Sequence, residues 1–260
     1  WSLTEQERLK VYDVVSDEGG DDWLIAAHIT DTSLKNVNHF AGYVESIGFD
    51  LLILAAPYFV TRKEEQVLEF VKSVADNTDL AIMFYNSPQF GIVMSVEGLR
   101  ALCAIPNVVG VKEASFNQKL SIDAHLLLGG ESIISTPDEW IFFKGRELGF
   151  EQQVMFANTS DWRFDTPDHN YYVQFIDRAT RGDLDEDLYD RYIRPIKGLS
   201  DKLWAASVQS LNGVLPVALC KYWGEVMGMS GGHVRTPLVN LLIEERLALK
   251  SEIKRIHGEA

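Results

Sequence analysis

Val108-Val109-Gly110-Val111-Lys112-Glu113-Ala114-Ser115 reads as a short buried β-strand with a lysine near its C-terminal end. Alternation along a strand puts Gly110, Lys112 and Ala114 on one face and Val109, Val111 and Glu113 on the other. Only a glycine and an alanine flank the lysine on its own face, which leaves room there for a small molecule. Lysine is rarely buried unless it is paired or functional. Removal from water lowers its pKa and makes the amine a nucleophile toward carbonyl carbon. The alternative is a lysine that snorkels to water from a strand end. The stretch alone leaves both readings open.

Outward from this strand, similar apolar runs recur: Trp23–Ile29, Leu51–Tyr58, Leu80–Tyr85, Ser132–Ser135 and Gln153–Asn158. With Val108–Ser115 their starts fall 21–29 residues apart. Helical segments with readable ends lie between them. Thr4 with Glu7 forms a capping box, and the helix it opens stops at Gly19-Gly20. Ser33–Ile47 stops at Gly48, and Thr61 with Glu64 caps Val67–Val74. Thr136-Pro137-Asp138-Glu139 and Thr166-Pro167-Asp168 each place an N-cap before a proline. Strand, helix, strand at this period is the mark of parallel βαβ units. No Gly-x-Gly-x-x-Gly follows any strand, which favours an α/β fold of the (β/α)₈ barrel type over a dinucleotide-binding sheet. Six strands are countable where a closed barrel needs eight. The chain opens on a helix, so the first two strands are expected to lie before Trp1. After about Leu184 the strand period ends. Leu184–Lys202, Leu203–Met229 and Thr236–His257 read as three amphipathic helices. The expected division is a barrel over 1–183 and a helical region over 184–260.

The 260 residues carry a net charge of −14 and are 46% hydrophobic. That balance suits a soluble globular protein and argues against nucleic-acid and anionic-membrane partners. No apolar run reaches the roughly 18 residues of a membrane span. Cys103 and Cys220 form neither a disulfide framework nor a zinc motif, so an intracellular, cytoplasmic setting is expected. The six histidines, His28, His39, His125, His169, His233 and His257, show no short paired spacing that would gather a metal. His28 lies in the first countable strand and faces either the pocket or the helix layer; packing is the reading favoured for it. Asp138 and Glu139 read as first-turn helix carboxylates stabilised by the helix dipole. No metal and no cofactor is expected.

Barrel enzymes carry their chemistry at the C-terminal ends of strands. That rule selects Thr30, Pro57 with Tyr58 and Phe59, Tyr85 with Asn86 and Ser87, Lys112, Ser135 and Asn158. Tyr85 ends the strand before the lysine strand, so the two are expected to share one pocket, with the tyrosine hydroxyl as proton relay.

Tyr85-Asn86-Ser87-Pro88 followed by Gly110-Val111-Lys112-Glu113-Ala114-Ser115 resembles the signature of the dihydrodipicolinate synthase and N-acetylneuraminate lyase superfamily. Ala55-Ala56-Pro57-Tyr58-Phe59, Gln153-Val154-Met155-Phe156-Ala157-Asn158 and Gly231-Gly232-His233-Val234-Arg235-Thr236-Pro237-Leu238 are similar to three further family segments. The resemblance implies a metal-independent class I aldolase-type lyase. Lys112 would form a Schiff base with pyruvate or another 2-keto acid, and Tyr85 would shuttle protons. Tyr58, Phe59, Asn86, Ser135, Gln153 and Asn158 would line the substrate, with Gln153 matching a family residue beside the keto acid. The resemblance also implies a homo-oligomer, dimer or tetramer, with Tyr58 and Phe59 near a neighbouring subunit.

Departures from the family pattern bear on the second substrate. The Gly-Thr-Thr-Gly-Glu-like turn is not among these residues and is expected to end just before Trp1. Phe59 stands where the synthase has a second tyrosine, and Gln89-Phe90-Gly91 stands where it has an arginine. A less polar or larger second substrate is therefore expected. The alternatives are a hydratase-aldolase or keto-acid dehydratase of the same superfamily, or a barrel that binds a keto acid without turnover.

Overall fold

Five strands pair in parallel, each with its successor in the chain. They appear in a computed structural model that describes residues 3–19, 22–152, 154–155, 163–211 and 214–258. Contacts divide the chain into two units, one formed by 1–137 and 144–156 and the other by 138–143 and 157–260.

In the first unit, helix α1 (Glu5–Gly19) precedes β1 (Ala26–His28), α2 (Leu34–Ser46), β2 (Leu51–Ala55) and α3 (Glu64–Ala75). Strand β3 (Ala81–Asn86), α4 (Val96–Cys103), β4 (Val108–Glu113), α5 (Gln118–Leu128) and β5 (Ile133–Ser135) follow. The order β1-β2-β3-β4-β5 has no reversal, whereas a doubly wound sheet reverses at its ligand-binding switch point. Sequential parallel order is that of a barrel wall. The predicted strand Gln153–Asn158 lies mostly outside the described residues; Val154 and Met155 carry no strand. β1 is shorter than predicted, and Trp23 and Leu24 before it are exposed.

The two sheet faces differ in packing. One face presents Ala27, Leu52, Leu54, Ile82, Phe84 and Val111, all 0–1% exposed, to Val37, Val44, Val67, Val71, Leu99 and Ala124 on the helices. Each fully buried aliphatic side chain of this kind contributes about 1.5–3 kcal/mol. The other, inner face carries His28, Tyr85 and Lys112, each with solvent-accessible surface.

Of the four predicted N-caps one holds and three move. Thr4 and Glu7 form the reciprocal box, with the Thr4 N–H donating to Glu7 Oε2 at 2.8 Å and the Glu7 N–H to Thr4 Oγ1 at 3.2 Å. Ser33 Oγ accepts from the Asn36 N–H at the start of α2. Thr61 does not cap α3, because its buried hydroxyl donates to the Pro57 carbonyl at 3.0 Å. Glu64 reaches the Ser95 N–H instead, and Gln66 Oε1 accepts from the Arg62 and Lys63 N–H groups. Thr136 is held at 3.0 Å from His125 Nε2, so Asp138, accepting from the Ile141 N–H at 2.9 Å, caps the helix α6 (Glu139–Leu148). Thr166-Pro167-Asp168 forms a turn, and Asp165 accepts from Tyr172 N–H at 2.8 Å where the next helix, Tyr171–Thr180, begins.

The second unit is helical among its described residues. Arg194–Ser210, Val217–Val226 and Ile243–His257 are its long segments, with a π-helical turn at Tyr189–Ile193. The predicted break near Lys202 is absent; the chain breaks before Pro216, which cannot donate a helical N–H. Stacked Phe143 and Tyr189, 4.3 Å between ring centroids, belong to its core. Glu139 does more than sit near a helix dipole. It is buried and accepts from Arg163 Nη2 at 2.6 Å, while Arg163 Nη1 donates to Ser200 Oγ at 2.8 Å. No helix among the described residues is long and apolar enough to cross a membrane.

Candidate active site

Register places the lysine and the tyrosine side by side. Tyr85 on β3 pairs with Lys112 on β4 and with Ala55 on β2, and Lys112 pairs with Ser135 on β5. All four lie on the inner face, as alternation from Gly110 requires. Lys112 Nζ stands 4.4 Å from the centroid of the Tyr85 ring. Burial brings the amine down to about 8. The same burial pushes the Tyr85 hydroxyl up to about 12, while a hydrogen bond with the Ser87 side chain pulls it the other way. At neutral pH about a tenth of the lysine is free amine, and the tyrosine keeps its proton.

Gly110 has a different role from the one its size suggested. A Cβ there would lie 2.0 Å from the Ile133 carbonyl oxygen, so the missing side chain admits the neighbouring strand's backbone and not a ligand. On the inner face Ala55 of β2 pairs with Tyr85, and aromatic rings gather beside that tyrosine. Tyr85 meets His28 edge-on at 6.1 Å and Phe90 at 5.2 Å, and His28 lies 6.0 Å from Phe90. His28 thus faces the inner space and not the helix layer, correcting the packing reading. A three-residue strand with accessible His28 between buried neighbours is a two-residue alternation, too short to orient from sequence alone.

The other expected site residues divide. Ser135 is fully buried on the inner face beside Lys112. Tyr58 is half-buried after β2; burial and Asp31 raise its pKa while Arg8 lowers it. Phe59 is 76% exposed with φ 71°, packing edge-on against Tyr58 at 5.2 Å. Phe116, four residues past Lys112, was not singled out by sequence; it is also exposed, with φ 61°. Left-handed backbone costs a non-glycine residue roughly 1–2 kcal/mol, and such positions gather at functional loops.

Asn86 does not reach the substrate side, contrary to expectation. It is buried on the far face, where its Oδ1 accepts from the Met94 N–H at 2.8 Å. Its Nδ2 donates to the Met94 carbonyl at 3.2 Å and to Glu113 Oε1 at 3.4 Å. An asparagine adjacent to the tyrosine must point the other way along a strand. Gln153 and Asn158 lie outside the described residues. Among the described residues no group of three or more histidine, cysteine, aspartate or glutamate side chains could hold a metal ion.

Residues 1–256 match the dihydrodipicolinate synthetase family. A 4-hydroxy-tetrahydrodipicolinate synthase of Desulforudis audaxviator is 27% identical over 145 residues, 55% of this chain and 47% of that protein. That match spans about half the length of the relative. The enzyme of the same name from Listeria welshimeri is 25% identical over 96% of this chain and 80% of its own length. Among solved structures, the chloride-inhibited dihydrodipicolinate synthase of Acinetobacter baumannii, complexed with pyruvate, superposes with a TM-score of 0.79. It is 18% identical and covers all of this chain and 83% of that one. At that identity the likeness establishes the fold: a TIM-barrel-type α/β protein with C-terminal helices.

Proposed function

This chain belongs to the dihydrodipicolinate synthetase family, and on that premise we propose that it is a metal-independent class I aldolase-type lyase whose Lys112 forms a Schiff base with pyruvate or a related 2-keto acid. The observation that carries the reading is the lysine amine, lowered to about 8 by burial, over the ring of Tyr85 at 4.4 Å on the inner face. The free amine adds to the keto carbon, water leaves, and a protonated imine remains. That imine draws electrons from the adjacent carbon, which then releases a proton or a carbon partner. Tyr85 carries the proton to or from that carbon. Phe59 offers no hydroxyl for the relay. Ser87, hydrogen-bonded to Tyr85 and with its Oγ accepting from the Gln89 N–H at 3.4 Å, supplies a second one. Hydrolysis of the imine returns the lysine.

The second substrate is taken to differ from that of the relatives named synthase. On the family pattern Gln89-Phe90-Gly91 replaces the arginine that would grip a charged group of that substrate, and Phe90 here packs against Tyr85 and His28. A less polar carbonyl compound suits it better, and a hydratase-aldolase or dehydratase would use the same imine. Ser135, Tyr58 and Phe59 are assigned to the substrate's surroundings, with Gln153 and Asn158 carried on the family pattern. A dimer or tetramer is the expected assembly, readable by light scattering.

The test is to incubate the protein with pyruvate, reduce with borohydride and weigh the peptides. A pyruvyl increment is expected on the peptide holding Lys112, absent from Lys112→Ala. No adduct with pyruvate or any other 2-keto acid would leave a non-catalytic keto-acid-binding barrel as the better account.

A further inference from the structure

We propose that Phe90 is a positioning residue for Tyr85: its ring, carried on the loop after β3, holds the tyrosine where its hydroxyl can reach the carbon next to the imine on Lys112. The inference rests on the Schiff-base reading above and adds to it a residue that acts through the tyrosine.

Tyr85 stands near the end of β3 on the accessible inner face. A change of rotamer there would carry its hydroxyl out of hydrogen-bond reach of a bound imine, and proton transfer needs that reach. Neighbouring groups oppose such a swing. Lys112 Nζ lies 4.4 Å from the centroid of the ring. Phe90 meets the ring at 5.2 Å with the two planes 67° apart, and His28 lies farther off at 6.1 Å. Edge-on packing is an arrangement that the ring quadrupoles favour, so Phe90 selects an orientation as well as filling space.

The loop between β3 and α4 is closed in a way that presents Phe90. The residue ends the 3₁₀ turn Pro88–Phe90, which Ser87 caps by accepting from the Gln89 N–H at 3.4 Å. Gly91 ends the turn at φ 84°, a conformation that suits glycine. Ser87 and Ile92 then pair as an antiparallel bridge. Asn86 ties the two ends of the loop together by binding both polar groups of the Met94 backbone, the N–H at 2.8 Å and the carbonyl at 3.2 Å. Loops at strand ends ordinarily lie on the surface, yet Phe90 is only 4% exposed. The chain thus folds back over the end of its own strand and brings Phe90 onto Tyr85. Ser87, on the same loop, is hydrogen-bonded to the Tyr85 side chain. One closed loop grips the tyrosine at its hydroxyl and at its ring. Phe90 is too buried to meet a substrate broadly, so its influence on the reaction runs through Tyr85.

The experiment reads deuterium uptake at the methyl group of pyruvate in D₂O by NMR, expressed per Lys112 that borohydride traps with pyruvate. Uptake exchanges a methyl proton for a deuteron, the step assigned to Tyr85. Trapping needs Lys112 alone, and unfolded chains count in neither. Phe90→Leu keeps the apolar bulk and removes the ring. Its exchange per trapped lysine is expected to fall about tenfold to a hundredfold, the cost of a misplaced group, with the pyruvate concentration that half-saturates trapping unchanged. Phe90→Met makes the same test with a more adaptable side chain if the leucine variant does not fold. Phe90→Tyr keeps an aromatic ring and is expected to keep most of the exchange. Combining Phe90→Leu with Tyr85→Phe leaves no hydroxyl to position, so the double variant is expected to exchange as slowly as Tyr85→Phe alone. Unchanged exchange in Phe90→Leu, or losses that multiply in the double variant, overturns the positioning role and leaves the Schiff-base reading intact. Pyruvate is the only substrate present, so a Phe90 that served the second substrate alone would give that unchanged result. A parent chain that traps no 2-keto acid overturns both.

Discussion

Lys112 and Glu113 are consecutive, and the pleat of β4 sends them to opposite faces of one sheet. Burial acts on both in the same sense, against charge: it lowers the lysine pKa to about 8 and raises that of the glutamate. Their surroundings differ. Glu113 is fully buried and satisfied by donors: the Ser121 hydroxyl, the Ser115 N–H at 3.1 Å and the Asn86 amide at 3.4 Å. Those bonds join β3, β4 and α5, and they pull the glutamate's pKa back down. Lys112 instead faces an aromatic ring on an accessible surface. The histidines repeat the contrast. His125 is stacked on Phe150 at 4.2 Å, bonded to Thr136 and buried, with its pKa driven to about 4 by that burial. His28 has a similar pKa and an open edge. A shifted pKa alone thus does not mark a reactive group; a shifted pKa with a reachable atom does.

If the two faces divide chemistry from stability, substitutions on them separate cleanly. Lys112→Ala abolishes the trapped adduct while the circular dichroism spectrum stays that of the parent; a residual adduct on another lysine breaks the contrast. Tyr85→Phe still traps the imine but slows deuterium uptake at the pyruvate methyl group, followed by NMR, by about 10²–10⁴-fold. Glu113→Ala leaves several buried donors unpaired and lowers unfolding free energy by about 3 kcal/mol in urea titration, with the Lys112 adduct still formed. Ser121→Ala removes one of those donors and lowers it by about 1 kcal/mol. Loss of the adduct in Ser121→Ala at unchanged stability would put the outer face in the chemistry.

The smallest effect is a pH dependence. The lysine titrates near its ordinary 10.5 in the unfolded chain and near about 8 in the folded one. Below about 8 both states are protonated and the fold bears the full cost of the buried charge. Between about 8 and 10.5 the unfolded chain binds more protons, so stability rises with pH. Lys112→Met therefore raises the thermal midpoint at pH 7, and the gain shrinks as pH climbs through that window. An equal gain at pH 7 and pH 10.5 would mean that the amine is not desolvated.

Periodicity and strand-end residues were enough to read parallel βα units, the pairing of Tyr85 with Lys112, and a family resemblance that the comparison with residues 1–256 bears out. Those features are local: a strand's alternation and a strand-to-helix period are written into consecutive residues. What only the tertiary structure decided are matters of which chain comes close to which. Gly110 is small because the Ile133 carbonyl lies where its side chain would be. Thr61 and Thr136 leave their predicted caps because Pro57 and His125 claim their hydroxyls. Asn86 lies on the outer face because Met94 and Glu113 hold its amide. His28 lies beside Tyr85 on the inner face, with the end of its strand held by Arg8 of α1. Sequence distance hides each of these partners, since hydrogen bonding and close approach act between atoms that only folding brings within about 3 Å.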